Sequence, residues 1–218
     1  MDKVTNFKKA ISKITDGSTV MIGGFLNCGT PETLVKGIVD KGIKDLTIIA
    51  NDTAYPDVGI GKLIVNELAK KVIVSHIGTN RETGNQMNSG ELDVELVPQG
   101  TLAERIRAAG FGLGGFLTPT GVGTMVEKDK KVMEVNGEEY LLELPLGAEL
   151  GLIKAEKADK KGNLIYDKSA RNFNPVIAQA ADFVIAEADE IVEVGELDPN
   201  NIMTPEIFVD MVIEGRDN

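Results

Sequence analysis

The stretch MIGGFLNCGTPE, residues 21–32, decides how this chain is read. It closes the apolar run TVMIGG (19–24), a strand pattern, turns on Gly23 and Gly24, and then opens a helix. Thr30 is the expected N-cap of that helix and Pro31 its first residue. Leu34, Val35, Ile38 and Val39 supply its buried stripe until Gly42 ends it. Upstream, Val4, Phe7, Ile11 and Ile14 predict a first helix that stops at Thr15-Asp16-Gly17.

The same alternation continues along the chain. LTIIA (46–50) reads as a strand, KLIVNELAK (62–70) as a helix and VIVSH (72–76) as a strand. ELDVELVPQG (91–100) alternates Leu92, Val94 and Leu96 with acidic residues, as a half-buried strand does, and a capping box of Thr101 and Glu104 opens the helix TLAERIRAAG (101–110). Strands separated by helices imply crossover units and a parallel sheet. In the second half, KVMEVNGEEYLLEL (131–144) carries an Asn136-Gly137 hairpin signal, and LIKAEKADKKGNLIY (152–166) a strand pair around Lys161-Gly162-Asn163; both read as antiparallel additions. PVIAQAA (175–181) predicts a short helix, FVIAEA (183–188) a strand, and Thr204-Pro205-Glu206 starts the last segment. The expectation is an α/β fold in a single domain over 1–218, with three layers: an open, mostly parallel sheet, helices on both faces and antiparallel hairpins in the second half.

Acidic residues outnumber basic ones 34 to 23, for a net charge of -11, which argues against binding nucleic acid or an anionic membrane. The single cysteine, Cys28, can form no internal disulfide; with no signal peptide pattern and no long apolar span, a reducing cytoplasm is the expected location. One cysteine and one histidine, His76, supply no metal cluster.

Parallel sheets bind ligands beyond the carboxyl ends of their strands. That rule gathers Gly23, Gly24, Asn51, Asp52, His76, Asn80 and Gln99 at one edge. The opening turn has neither the GxGxxG spacing of a dinucleotide site nor a Gly-Lys-Ser/Thr, and Glu32 in the first helical turn competes with an anion. An NAD-dependent oxidoreductase is therefore disfavoured, and the turn either lets a substrate approach the backbone closely or serves packing alone. Asn51 and Gln99 are uncharged amides able to donate to an oxygen that gains negative charge in acyl transfer; their plain alternative is loop capping.

Other segments carry competing readings. GFGLGGFLTPTGVGT (110–124) places Gly110, Gly112, Gly114, Gly115, Gly121 and Gly123 around Phe111 and Phe116; it reads as a flap or an interface, or as an irregular loop. A serine triad using His76 with Ser75 or Ser89 lacks a nucleophile elbow. Cys28 near a helix start reads as a passive thiol rather than a nucleophile. KSARNFN (168–174) either contacts an anion or ties Arg171 to a carboxylate.

Together, DGSTVMIGGFLNCGTPE, the Asn51 loop, ELDVELVPQGTLAERIRAAG, GFLTPTGVGT and KSARNFN resemble, in order and over nearly the whole chain, the alpha (A) subunit of family I 3-oxoacid CoA-transferases, of the acetate, butyrate or acetoacetate type. The resemblance implies transfer of CoA from a short-chain acyl-CoA to a carboxylate through a glutamyl thioester. In the family it resembles, the nucleophilic glutamate lies in a Ser-Glu-Asn-Gly stretch of the beta (B) subunit, or of the second half of fused members; this chain has no such stretch, and NSGELD and VNGEEY do not match it, so Glu91, Glu138 and Glu139 are not assigned that role. The resemblance further implies that Asn51 and Gln99 lie near the thioester oxygen and that Gly24, Phe25, Leu26, Asn27, Cys28, Gly29 and Thr30 form the CoA-binding loop. It places Gly114, Gly115 and Phe116 over the acyl pocket, where fused relatives have Pro-Ala for the glycine pair. Relatives often have two asparagines where this chain has Asn51-Asp52, leaving open which of the two faces the thioester. The coenzyme is a substrate, and no permanently bound cofactor is expected. The alternative function is a stand-alone small-metabolite-binding or regulatory domain on the same scaffold.

Overall fold

In the computed structural model, which describes residues 2–215, the apolar runs become strands flanked by amphipathic helices. α1 (Phe7–Ile11) leads into β1 (Thr19–Ile22), followed by α2 (Glu32–Lys41), β2 (Leu46–Ile49), α3 (Gly61–Val65), β3 (Ala69–Val74), α4 (Arg81–Ser89), β4 (Asp93–Leu96) and α5 (Gln99–Gly110). β5 (Phe116–Thr118), β6 (Val132–Val135) and β7 (Glu138–Glu143) form a separate antiparallel sheet in the order β5-β7-β6. The chain then returns as β8 (Ala148–Asp159), β9 (Leu164–Ile165), α6 (Asn174–Ala180), β10 (Ala181–Val192) and β11 (Met211–Glu214). No helix among the described residues is long and apolar enough to cross a membrane.

The main sheet has the order β11-β10-β8-β1-β2-β3-β4, with every neighbouring pair parallel and β9 antiparallel to β8. From β1 the chain builds outward through β2, β3 and β4, then returns to β1's other side with β8. The strand order therefore reverses between β1 and β8, where an open α/β sheet leaves a crevice at its carboxyl edge.

The period of two along each strand distributes the core between the two faces. Val20, Ile22, Ile48, Val72, Val74 and Leu152 pack with Ile11, Leu34, Ile38, Leu63 and Ile64 of α1, α2 and α3. The alternate residues Met21, Ile49, Ile73, Ile153 and Ala186 pack with Leu102, Ile106 and Ile177 of α5 and α6. This is the expected three-layer α/β arrangement, and both faces are apolar because both are covered.

Several local expectations are corrected. Pro31, not Thr30, is the N-cap of α2, and Thr30 Oγ1 instead points to the Leu26 carbonyl at 3.4 Å. α5 begins at Gln99 after Pro98, which places Thr101 inside its first turn with Oγ1 buried and unpartnered, so there is no capping box; Glu104 pairs with Arg107 at 2.6 Å. The helix expected over 62–70 is only the five residues of α3, because Glu67 turns left-handed (φ 54°) and Ala69 already starts β3. Val4 precedes α1 and bridges to Val212. The 152–166 segment does fold back on itself, but its first arm is β8, a central parallel strand rather than an antiparallel addition. α4 had no counterpart in the sequence reading: RETGNQMNS buries only Thr83 and Gln86 and so lacks an apolar stripe.

Candidate functional site

The turn after β1 is built by contacts that reach across the fold. Gly23 N–H donates to the Leu152 carbonyl at 2.9 Å, prolonging the β1–β8 ladder past the last strand residue. A Cβ at Gly24 would lie 2.2 Å from Thr30 Oγ1, and its φ of +123° suits glycine. Phe25 and Cys28 then exchange two backbone hydrogen bonds of 3.0 Å, closing a tight turn over Leu26 and Asn27. Leu26 sits at φ 55°, a conformation that costs a branched residue, and its N–H donates to Asp52 Oδ2 at 2.9 Å.

The KSARNFN segment clamps this turn from the other side. Asn172 Nδ2 donates to the Cys28 carbonyl at 2.9 Å. Fully buried Asn174 donates through Nδ2 to the carbonyls of Gly29 at 3.0 Å and Ala170 at 2.8 Å, while its Oδ1 accepts from Lys154 N–H at 3.0 Å. Arg171 forms no ion pair among the described residues, so the reading that it ties the loop to a carboxylate is corrected; the two asparagines do that work.

The positive end of α2 is already occupied. Glu187 of β10, 2% exposed, accepts from the Leu34 N–H at 3.0 Å, and Thr33 donates to it as well. Burial pushes the Glu187 carboxyl above its ordinary range, against the opposing pull of Lys154 and these donors. Glu32 takes no part in filling the helix end: it turns toward α3, accepting from Gly59 N–H and Lys62 Nζ, both at 2.7 Å. An internal carboxylate thus stands where a phosphate would have to sit.

Beyond the carboxyl ends of β1 to β4 lies a cavity of about 400 Å³, lined by Phe25, Leu26, Asn51, Asp52, Ser75, His76, Thr79 and Gln99. The strand-edge rule foresaw four of these: Asn51, Asp52, His76 and Gln99. Gly23 and Gly24 form the adjacent turn, and buried Asn80 instead caps α4, accepting from Glu82 N–H at 3.1 Å. Gln99 Nε2 donates to Asn51 Oδ1 at 2.7 Å, and Asn51 Nδ2 donates to Asp52 Oδ2 at 2.6 Å. Asn51 is 2% exposed, whereas Gln99 is exposed and its second amide proton is available to a ligand. The Ser75 hydroxyl donates to the Asn51 carbonyl at 2.7 Å, and Ser89 bonds to Gln86 and Glu91, so neither serine meets His76. Cys28 is exposed and its Sγ lies 3.6 Å from Ser169 Oγ.

Gly114, Gly115 and Phe116 are not brought to this cavity within the chain. Gln99 starts α5 and the 114–116 segment follows its other end, and twelve helical residues span about 18 Å. Gly115 packs against the Glu143 carbonyl, which a Cβ would approach to 2.7 Å, and Phe116 is half-buried as it enters β5. Phe111, Leu113 and Leu117 remain exposed, the pattern of an interface.

Sequence reasoning missed the functions of Asp52, Asn174 and Glu187 in building the site. Asp52 and Asn174 stood in the segments singled out, yet what a short polar side chain accepts from depends on which loop packs against it. Glu187 lies within the buried, otherwise apolar run 184–188 of β10, where an acid among apolar neighbours is the one signal of a buried partner.

A family model described as Coenzyme A transferase matches residues 4–215. The acetate CoA-transferase subunit alpha of Escherichia coli K12 is 55% identical over 216 residues, covering 99% of this chain and 98% of that protein. The acetoacetyl-CoA:acetate/butyrate CoA transferase alpha subunit of Clostridium acetobutylicum is 52% identical over 212 residues, covering 97% of each. Among solved structures, the glutaconate coenzyme A-transferase of Acidaminococcus fermentans superposes with a TM-score of 0.86 at 24% identity, over 97% of this chain and 75% of that one. The acyl-CoA transferase of Escherichia coli O157:H7 gives 0.89 at 23% identity, and this chain spans 98% of itself but 47% of that longer chain. These two likenesses speak for the fold, and the family match together with the close relatives establishes that the chain belongs to the coenzyme A transferase family as an alpha-type subunit.

Proposed function

We propose that this chain forms half of a composite active site that moves CoA between a short-chain acyl-CoA and a carboxylate such as acetate, butyrate or acetoacetate. The partner is a beta subunit that supplies the nucleophilic glutamate. The observation that carries this reading is a cavity that exposes the Gln99 amide and His76 but has no free carboxylate among its lining residues. Its one acid, Asp52, is 3% exposed and already accepts from Leu26 N–H, Ala54 N–H and Asn51 Nδ2. Glu138 and Glu139 belong to β7 of the small sheet, and Glu91 precedes the amino end of β4.

In this scheme the partner's glutamate attacks the thioester carbonyl and CoA thiolate leaves, giving an acyl-glutamyl anhydride. The thiolate then attacks the glutamyl carbonyl, releasing the first acid and leaving CoA on the enzyme as a thioester. The second acid reverses the sequence. Each attack places negative charge on a carbonyl oxygen, and the exposed Gln99 amide, positioned by its bond to buried Asn51, supplies a donor there at little cost of reorganisation. Residues 24–30 offer the coenzyme a closely approachable backbone beside the cavity, with exposed Phe25 at its lip. The chain works in this scheme as a single CoA-transferase domain in the cytoplasm.

Mixing the purified chain with a beta subunit tests the proposal. CoA exchange between labelled acetate and an acyl-CoA should appear in the mixture and in neither chain alone. Activity of the isolated chain, or none from the assembled pair, would return the protein to the reading of a metabolite-binding domain.

A further inference from the structure

Asp52 is not needed to bond a substrate: it is 3% exposed, and both its oxygens are engaged within the chain. What it does is fix a direction. A carboxylate only accepts, so Asn51 must turn Nδ2 toward it, at 2.6 Å. Asn51 Oδ1 is thereby aimed the other way, and Gln99 must answer with Nε2, at 2.7 Å. Gln99 lines the cavity, and its remaining N–H is left as a donor there. With a neutral amide at position 52, both side chains could flip together, and Gln99 would offer Oε1 to Asn51 with no fixed donor toward the reacting carbonyl.

We propose that Asp52 is a positioning residue that sets the polarity of an Asp52–Asn51–Gln99 relay, and through it the donor presented to the thioester oxygen. Such a chain also strengthens each bond through mutual polarisation. The inference rests on the proposed CoA-transferase reading. Asp52 also accepts the amide of strained Leu26, so one carboxylate ties the CoA-side turn to the amide pair.

The test uses the assembled two-subunit enzyme. Asp52→Asn should lower kcat about ten- to a hundredfold, below the loss from deleting an oxyanion donor outright, with KM for acyl-CoA changed less than about threefold. In a Gln99→Ala background the same substitution should change kcat by less than about threefold, because the relay has lost its end. Equal losses in both backgrounds, or a KM effect with kcat intact, would make Asp52 only an anchor for the turn and overturn the proposal. If Asp52→Asn does not assemble, Asp52→Ser carries the same comparison, since it keeps an acceptor for the Leu26 amide. A readout independent of turnover separates this inference from the functional reading. The side-chain amide resonances of Asn51 and Gln99 should move together in Asp52→Asn even in an enzyme that transfers no CoA; unmoved resonances refute the relay.

Discussion

Replacing Gly23 by alanine tests how the glycine turn is held. The backbone at Gly23 accepts any residue, so the substitution acts through space alone: the new Cβ would lie 1.8 Å from Asn174 Oδ1 and 2.7 Å from its Cγ. Asn174 must therefore leave its place and give up bonds to Lys154 N–H and to the carbonyls of Gly29 and Ala170. At about 1 kcal/mol net per hydrogen bond, and more where a buried group is left unpaired, the loss is about 3 to 5 kcal/mol. For a chain of this size that corresponds to a melting temperature lower by about 10 °C. Asn174→Ala should cost a similar amount by losing the same bonds. The decisive measurement is the double variant in calorimetry: with the Asn174 side chain gone, Gly23→Ala has room, so the pair should be no less stable than Asn174→Ala alone. Additive losses would refute the idea that Gly23 is glycine to admit Asn174.

Two further outcomes follow from the same geometry. Because burial raises the Glu187 carboxyl above its ordinary value of 4.5, the folded chain holds that proton more tightly than the unfolded one. Its contribution is complete below pH 4.5 and is lost as pH rises through the folded value, so acidifying from pH 7 to 5 should stabilise the wild-type chain relative to Glu187→Gln in thermal melts; a constant difference would refute it. Cys28→Ser should leave the transfer rate within about twofold, since the Cys28 backbone rather than its thiol makes the turn; a large loss in the steady-state rate would restore the thiol as a functional group.

Much of the fold follows from periodicity. Val20, Met21 and Ile22 are apolar in succession because β1 is covered on both faces, and the alternation of such strands with helices implies the parallel sheet. The carboxyl-edge rule likewise brings Asn51, Asp52, His76 and Gln99 together from sequence order, because the ends of adjacent parallel strands must be neighbours. Where the sequence misled, the signal was local and a distant contact overrode it. Thr30 and Thr101 look like caps, but prolines at 31 and 98 set the helix starts. LIKAEKADKKGNLIY looks like a free hairpin, but β8 inserts between β1 and β10.

Amino-acid order alone carried most of the strands and helices, α4 excepted, their parallel layering, and the sheet edge that gathers Asn51, Asp52, His76 and Gln99. These depend on residue type, order and spacing. The tertiary structure decided what that edge offers: Glu187 in the helix end where a phosphate would go, Asn174 locking the turn, and Asp52 orienting two amides. Each is a hydrogen bond, and in these three sites an acceptor is identified only when the fold brings a donor within about 3 Å of it.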